Sequence, residues 1–186
     1  MECIIPKLYL VERSIYMIKK ITLSAAITAL YVALTFVFLP VSFGPIQFRV
    51  AEALTLLPFF IPEAIVGLFA GCVLSNLMGG GGGFGLIDVV FGSGATLLAA
   101  WLTYKSPNIW VAAIPPVLIN ALVVGYYIAA VTEVSVVLTM LYIGISQFVV
   151  CFGVGLPLSL LLYRSRAFDT ILLSKKEIGS GTWVKK

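Results

Sequence analysis

Between Ile21 and Tyr163 the chain is a succession of long apolar runs, separated by turn residues and by very few charges. Ile21 to Leu39 is about 19 residues, and a helix of that length crosses a hydrocarbon core of roughly 30 Å. Five further runs follow, at about Ile46–Ile61, Ala64–Met78, Leu86–Tyr104, Ile109–Val131 and Val136–Tyr163. Composition points the same way: 61% of residues are hydrophobic and 11% charged, against about 25% charged in soluble domains. The mean hydropathy is +1.10. No soluble core of 186 residues buries so much apolar surface, so the solvent is lipid. The expected fold class is all-α, an integral membrane bundle of six transmembrane helices in a cell membrane.

The runs have legible punctuation. Lys19-Lys20 before the first one suggests a signal peptide, but the run is too long and no small-residue cleavage site follows Leu39-Pro40, so this helix is expected to stay. Pro58 interrupts the second run, and Pro62-Glu63 turns the chain into the third. Gly79–Gly83 reads as a mobile loop; it is no phosphate loop, because no Gly-Lys-Ser/Thr follows. The fifth run contains Pro115-Pro116 and the sixth Pro157. Met17-Ile-Lys-Lys resembles a natural start, so residues 1–16 read either as an extension or as a cytoplasmic lead. The expected division is therefore 1–20 lead, 21–163 membrane domain, and 164–186 basic tail.

Charge placement gives an orientation. With six crossings the basic amino-terminal group, Lys105, and the tail with Arg164, Arg166, Lys175, Lys176, Lys185 and Lys186 share one side. The positive-inside rule puts that side, and both termini, in the cytoplasm. The net charge of +4 is thus an orienting charge and not a nucleic-acid footprint. No histidine is present, which removes the commonest general base and metal ligand. Three widely spaced cysteines make neither a disulfide framework nor a zinc site. No enzyme, metal or cofactor is expected.

Polar residues inside the runs require a reason, since an ionised group at mid-bilayer costs about 3 kcal/mol on insertion scales. Gln47, Arg49, Glu52, Asn76 and Asp88 lie toward the outer ends of their helices in this topology, and Asn120 and Gln147 near the middle. Five helices thus offer polar groups at outer or middle depth, as a pocket entered from outside requires. Plain structural roles compete. Arg49 and Glu52, three apart, can neutralise each other; Asp88 can cap a helix; Asn120 and Gln147 can hold helices together by hydrogen bonds. Glu63 reads as a cytoplasmic helix-start residue. Ala25, Ala29 and Ala33 form a small-residue stripe on the first helix, where another helix can approach closely, inside the bundle or beyond it.

The stretch GPIQFRVAEALTLLPFFIPEAIVGLFAGCVLSNLMGG (Gly44 to Gly80) resembles the signature region of the QueT-type queuosine-precursor transporters. FGLIDVVFGSGATLLAAWLTYK (Phe84 to Lys105) and PPVLINALVVGYY (Pro115 to Tyr127) extend the resemblance in the same order, so that it covers most of Ile21 to Tyr163. Gln47-Phe48-Arg49 followed by Glu52-Ala-Leu is its most specific part. The long glycine run and the amino-terminal extension depart from the pattern without touching the matched helices.

That family is similar to the substrate-binding components of energy-coupling-factor transporters. The resemblance implies a six-helix bundle that captures a micronutrient at its outer face and moves it with energy from partners. Those partners are a scaffold transmembrane subunit and two cytoplasmic ATPases, and the stripe of Ala25, Ala29 and Ala33 would dock the scaffold. The implied ligand carries a 7-deazaguanine ring, often with a cationic aminomethyl arm. A carboxylate can accept two hydrogen bonds from the ring's N–H edge, and a second can neutralise the amine. Glu52 and Asp88 are expected in these roles, with Arg49 orienting Glu52 or meeting the ring carbonyl. Gln47, Asn76, Asn120 and Gln147 would complete the polar shell, and Phe43, Phe48, Phe84 or Tyr126 would sandwich the ring. The outer segment Val41–Pro45 and the glycine loop would close over it. Rival readings are a sibling component for another vitamin, an intramembrane enzyme, which lacks a base and nucleophile here, and a small pore-forming or scaffold protein.

Overall fold

The computed structural model describes residues 4–43, 47–79 and 85–165, and side chains from residue 14 onward within them. The glycine run beyond Gly79, Phe84, the span-start residue Ile46 and the tail beyond Ser165 lie outside the described residues. Among those described there is no strand. The helical segments are α1 (Ile4–Val37), α2 (Val50–Phe59) and α3 (Ala64–Gly79). They continue with α4 (residues 86–105), α5 (Ile109–Thr132) and α6 (Val136–Arg164). A one-turn helix, Leu39–Ser42, extends α1.

Three helices are long and apolar enough to cross a membrane: Ser14–Val37, Ile109–Thr132 and Val136–Arg164. The polarity of the bundle is reversed relative to a water-soluble protein. Ile21, Val37, Leu86 and Val137 are exposed, whereas Thr35, Arg49, Glu52, Asn76, Asp88 and Gln147 are buried. Lipid accepts the apolar exterior, and buried polar groups satisfy one another within. The chain is an all-α membrane protein.

α1 is continuous through residue 20, where the lead was expected to join the first run. Its Ile27–Tyr31–Thr35 face packs on α3, where a small-xxx-small pair, Gly67 and Gly71, admits it. A Cβ on Gly67 would lie 2.7 Å from the Ser24 carbonyl, and one on Gly71 2.8 Å from the Tyr31 Cβ. The closeness lets Ser24 Oγ donate to the Glu63 carbonyl and Thr28 Oγ1 to that of Gly67, both at 2.9 Å. At one end Lys20 Nζ meets Glu63 at 3.1 Å. The opposite face of α1 carries Ala25, Ala29 and Ala33, all exposed.

α2 is the innermost element, with residues 51–58 all buried. It is wound throughout as a 3₁₀ helix and continues through Pro58, where the sequence suggested an interruption. At about 2.0 Å rise per residue, ten residues reach about 20 Å, where an α-helix would reach about 15 Å. Side chains three apart eclipse in this geometry. Glu52 and Thr55 therefore stand in one line, continuing from Arg49 at the cap, while Leu54 and Leu57 point into the main apolar core with Ile27, Leu68 and Ala100.

α4, α5 and α6 each contain a π-helical stretch: Asp88–Gly92, Asn120–Val124 and Val149–Gly155. Such turns mark functional positions in many helices. In α5 the chain breaks at Ala113 and restarts with Pro115 in the first turn, where its missing N–H is not needed. Asn108 starts α5 by accepting from the Val111 N–H at 2.9 Å.

Candidate functional site

The site is built around α2. Arg49 precedes its first turn in an extended conformation, so the guanidinium leaves the helix and reaches α4. Its Nη2 lies 3.5 Å from Asp88 Oδ1, with both side chains nearly inaccessible. Tyr127 of α5 donates its hydroxyl to the same carboxylate oxygen through a short hydrogen bond. Asn76 of α3 ties the backbone in place, its Nδ2 donating to the Asp88 carbonyl at 2.8 Å. Gly92 completes this half: a Cβ there would stand 3.3 Å from Asn76 Nδ2, 3.4 Å from the Tyr127 hydroxyl and 3.7 Å from Arg49 Nη1. The Phe43 ring lies 5.4 Å from the guanidinium carbon, a cation–π contact.

Glu52 belongs to a second half. Its Oε1 accepts from the Tyr31 hydroxyl at 2.5 Å and from Thr96 Oγ1 at 3.2 Å. The neutralisation of Glu52 by Arg49, open on their spacing, is not what the fold makes: Arg49 turns to Asp88, and Glu52 is held by neutral hydroxyls. Nor does Asp88 serve as a simple helix cap, because its carboxylate is directed to Arg49 and Tyr127. One cation thus faces two carboxylates.

Seven of the eight expected ligand-site residues are buried: Gln47, Arg49, Glu52, Asn76, Asp88, Asn120 and Gln147. Arg49, Asn76 and Asp88 touch directly. Gln147 joins at the far side through Cys151, whose Sγ lies 3.9 Å from both Gln147 Oε1 and the Glu52 carbonyl. Tyr126 is not brought there. It is 61% exposed on the outer face of α5, and its neighbour Tyr127 faces inward. Tyr31, Cys72, Gly92, Thr96 and Tyr127 were missed by the sequence reading. For Tyr127 a signal existed: it stands seven residues, two helical turns, from Asn120. Phe48 is half-buried.

Several buried polar atoms here have no hydrogen-bond partner among the described residues. They are both amide atoms of Gln47, Arg49 Nε, Glu52 Oε2, Asn76 Oδ1 and Asn120 Nδ2. Unpaired buried donors and acceptors each cost about 1–3 kcal/mol, and here they concentrate around two carboxylates. Gln47 also adopts a positive φ of 45°, uncommon for a residue with a side chain, while the Arg49 N–H closes a tight turn onto the Gln47 carbonyl at 2.9 Å. A strained residue with an unpaired carboxamide is suited to reading a polar ligand edge. Among the described residues, no group of three or more His, Cys, Asp or Glu side chains is placed to hold a metal ion.

A family model described as "QueT transporter" matches residues 21–164. Over 76 residues the chain is 40% identical to a protein of Lactococcus lactis subsp. cremoris (strain MG1363) described as "Queuosine precursor transporter QueT". That match covers 40% of this chain and 43% of the relative, less than half of either. No solved structure matches the chain.

Proposed function

Because the chain belongs to the QueT transporter family, we propose that it is the substrate-capture component of an energy-coupling-factor importer for a queuosine precursor of the 7-deazaguanine type. The observation that carries this reading is the buried cluster of Arg49, Glu52 and Asp88 inside an apolar bundle, with unpaired polar atoms on Gln47, Glu52, Asn76 and Asn120 around it. A deazaguanine has a flat apolar face and an edge of N–H donors and a carbonyl. Donors of that edge suit Glu52 Oε2, by charge-assisted hydrogen bonds. The amides of Gln47 and Asn120 supply further donors and acceptors.

The two carboxylates take different parts in this proposal. Asp88 is already matched by Arg49 and Tyr127 and holds the frame. Glu52 has an oxygen to spare and reads the ligand. The family name printed for the Lactococcus relative supports the substrate class.

The bundle would cross the cell membrane six times with both termini in the cytoplasm, following the distribution of lysine and arginine. Transport involves no bond chemistry in this chain. A scaffold transmembrane subunit and two cytoplasmic ATPases would supply the energy, and the exposed stripe of Ala25, Ala29 and Ala33 supports a docking face for the scaffold.

The test is equilibrium binding of the aminomethyl and nitrile 7-deazaguanines to the purified, detergent-solubilised chain, with riboflavin and thiamine as controls. Saturable, selective binding of a deazaguanine is the expected result. Binding of a control vitamin in its place would replace the substrate, and folded protein that binds none of the four would overturn the capture function.

A further inference from the structure

We infer that Cys72 forms an inner wall of the ligand site and is the point at which covalent modification closes it; this rests on the capture function proposed above. Cys72 lies on α3, fully buried, and its sulfur is where the two halves of the site meet. Thr96 Oγ1 is 3.4 Å from Sγ and 3.2 Å from Glu52 Oε1. Asn76 Nδ2 is 3.5 Å from Sγ and also holds the Asp88 carbonyl. Arg49 Nη1 is 3.8 Å from Sγ, on the guanidinium that pairs with Asp88. Three donors from three elements thus surround one weak acceptor.

The neighbours of the sulfur carry the second observation. Asn76 Oδ1 and Arg49 Nε have no hydrogen-bond partner, and the carboxylate across Thr96 has a free Oε2. Asn76, Arg49 and Glu52 are each at least nine-tenths buried. The groups that touch the thiol are therefore groups with unused hydrogen-bonding capacity, and a ligand satisfying them lies against the sulfur. The thiol suits such a place: it is small, it packs against an aromatic face, and it accepts weakly enough to release its donors to a better acceptor.

The wall is chemically distinctive because a thiol can be capped. With methyl methanethiosulfonate, Cys72 gives its proton to solvent and its sulfur attacks the methylthio sulfur. A sulfur–sulfur bond forms, the bond to the sulfonyl sulfur breaks, and methanesulfinate leaves. The added methylthio group occupies space between Arg49, Asn76 and Thr96. Cys151 serves as an internal reference, equally buried, its nearest polar groups being Thr55, Gln147 and the Glu52 carbonyl.

The experiment follows methylthiolation of the full wild-type chain by peptide-resolved mass spectrometry, which separates Cys3, Cys72 and Cys151, with and without saturating aminomethyl deazaguanine. Ligand is expected to slow Cys72 by at least about tenfold while Cys151 stays within about threefold. The capped chain is expected to lose ligand binding. In parallel, Cys72→Ser, which keeps an acceptor, should bind within about threefold of wild type. Cys72→Val, without one, should bind at least about tenfold more weakly, about 1.4 kcal/mol, with its thermal unfolding unchanged. Binding without protection of Cys72, equal slowing of both thiols, or wild-type affinity in Cys72→Val overturns the inference and leaves the capture function standing. Absence of deazaguanine binding to the unmodified chain overturns both.

Discussion

Removing the positive charge of Arg49 should destabilise the bundle through Asp88, and the size of the effect can be worked out. The pair is separated by 3.5 Å and almost fully withdrawn from solvent. At an effective dielectric of about 20, unit charges at that distance attract by about 5 kcal/mol. Arg49→Met preserves most of the packing but leaves the Asp88 carboxylate with hydroxyl and backbone partners alone; breaking a buried pair from one side costs about 3–5 kcal/mol. Asp88→Asn keeps an oxygen for the Tyr127 hydroxyl and strands the guanidinium against Phe43 and Cys72 instead. The double variant has no stranded charge, so its loss should fall short of the sum of the single losses by at least about 2 kcal/mol. Unfolding in mixed detergent micelles titrated with dodecyl sulfate, followed by circular dichroism, gives the four free energies. A coupling below about 0.5 kcal/mol would show that the two charges do not hold one another, and the division of labour between Asp88 and Glu52 would collapse.

Glu52→Gln keeps an oxygen for Tyr31 and Thr96 but removes the spare acceptor, so unfolding should change little while deazaguanine affinity falls about 100-fold, as for a charged hydrogen bond of about 1.5–3 kcal/mol; calorimetric titration reads the loss. Gly71→Ala puts a Cβ 2.8 Å from that of Tyr31, which should cost about 1–3 kcal/mol of stability by overpacking. It should also weaken ligand binding, because Tyr31 is displaced from Glu52; unchanged binding would separate the α1–α3 seam from the site. Tyr127→Phe should lower the melting temperature by several degrees in detergent, consistent with about 1–2 kcal/mol for a hydrogen bond to a carboxylate, whereas Tyr126→Phe on the exposed face should leave it unchanged.

Much of the fold was legible because lipid and water sort residues so strongly. Apolar runs of helical length needed no tertiary information, and neither did the cost of placing Arg49, Glu52 and Asp88 among them. The partners of those charges were not legible. Spacing along the chain favours Arg49 with Glu52, but the extended backbone at Arg49 and the tight winding of α2 direct them to different neighbours, and winding of that kind has no simple sequence signature. Pro58 read as an interruption for the same reason. Tyr31 was passed over as one more apolar residue, although a phenol inside a membrane run needs an acceptor. Gly67 and Gly71 carried a small-xxx-small signal that went unused, and it is they, not the alanine stripe, that seat α1 in the bundle.

The π turns of α4, α5 and α6 also fix how these helices tolerate changes in length. A π turn is what remains when one residue is added to an α-helix without unwinding it, so each stretch holds a surplus residue. Deleting one position within 120–124 would let α5 close into regular winding, turning everything after it by about 100°. Tyr127 would leave Asp88 for the lipid side, and another residue would take its place against the carboxylate. The inward face of α5 beyond Asn120 is therefore set by a count, and deletion is a sharper instrument than substitution for finding out what that face does.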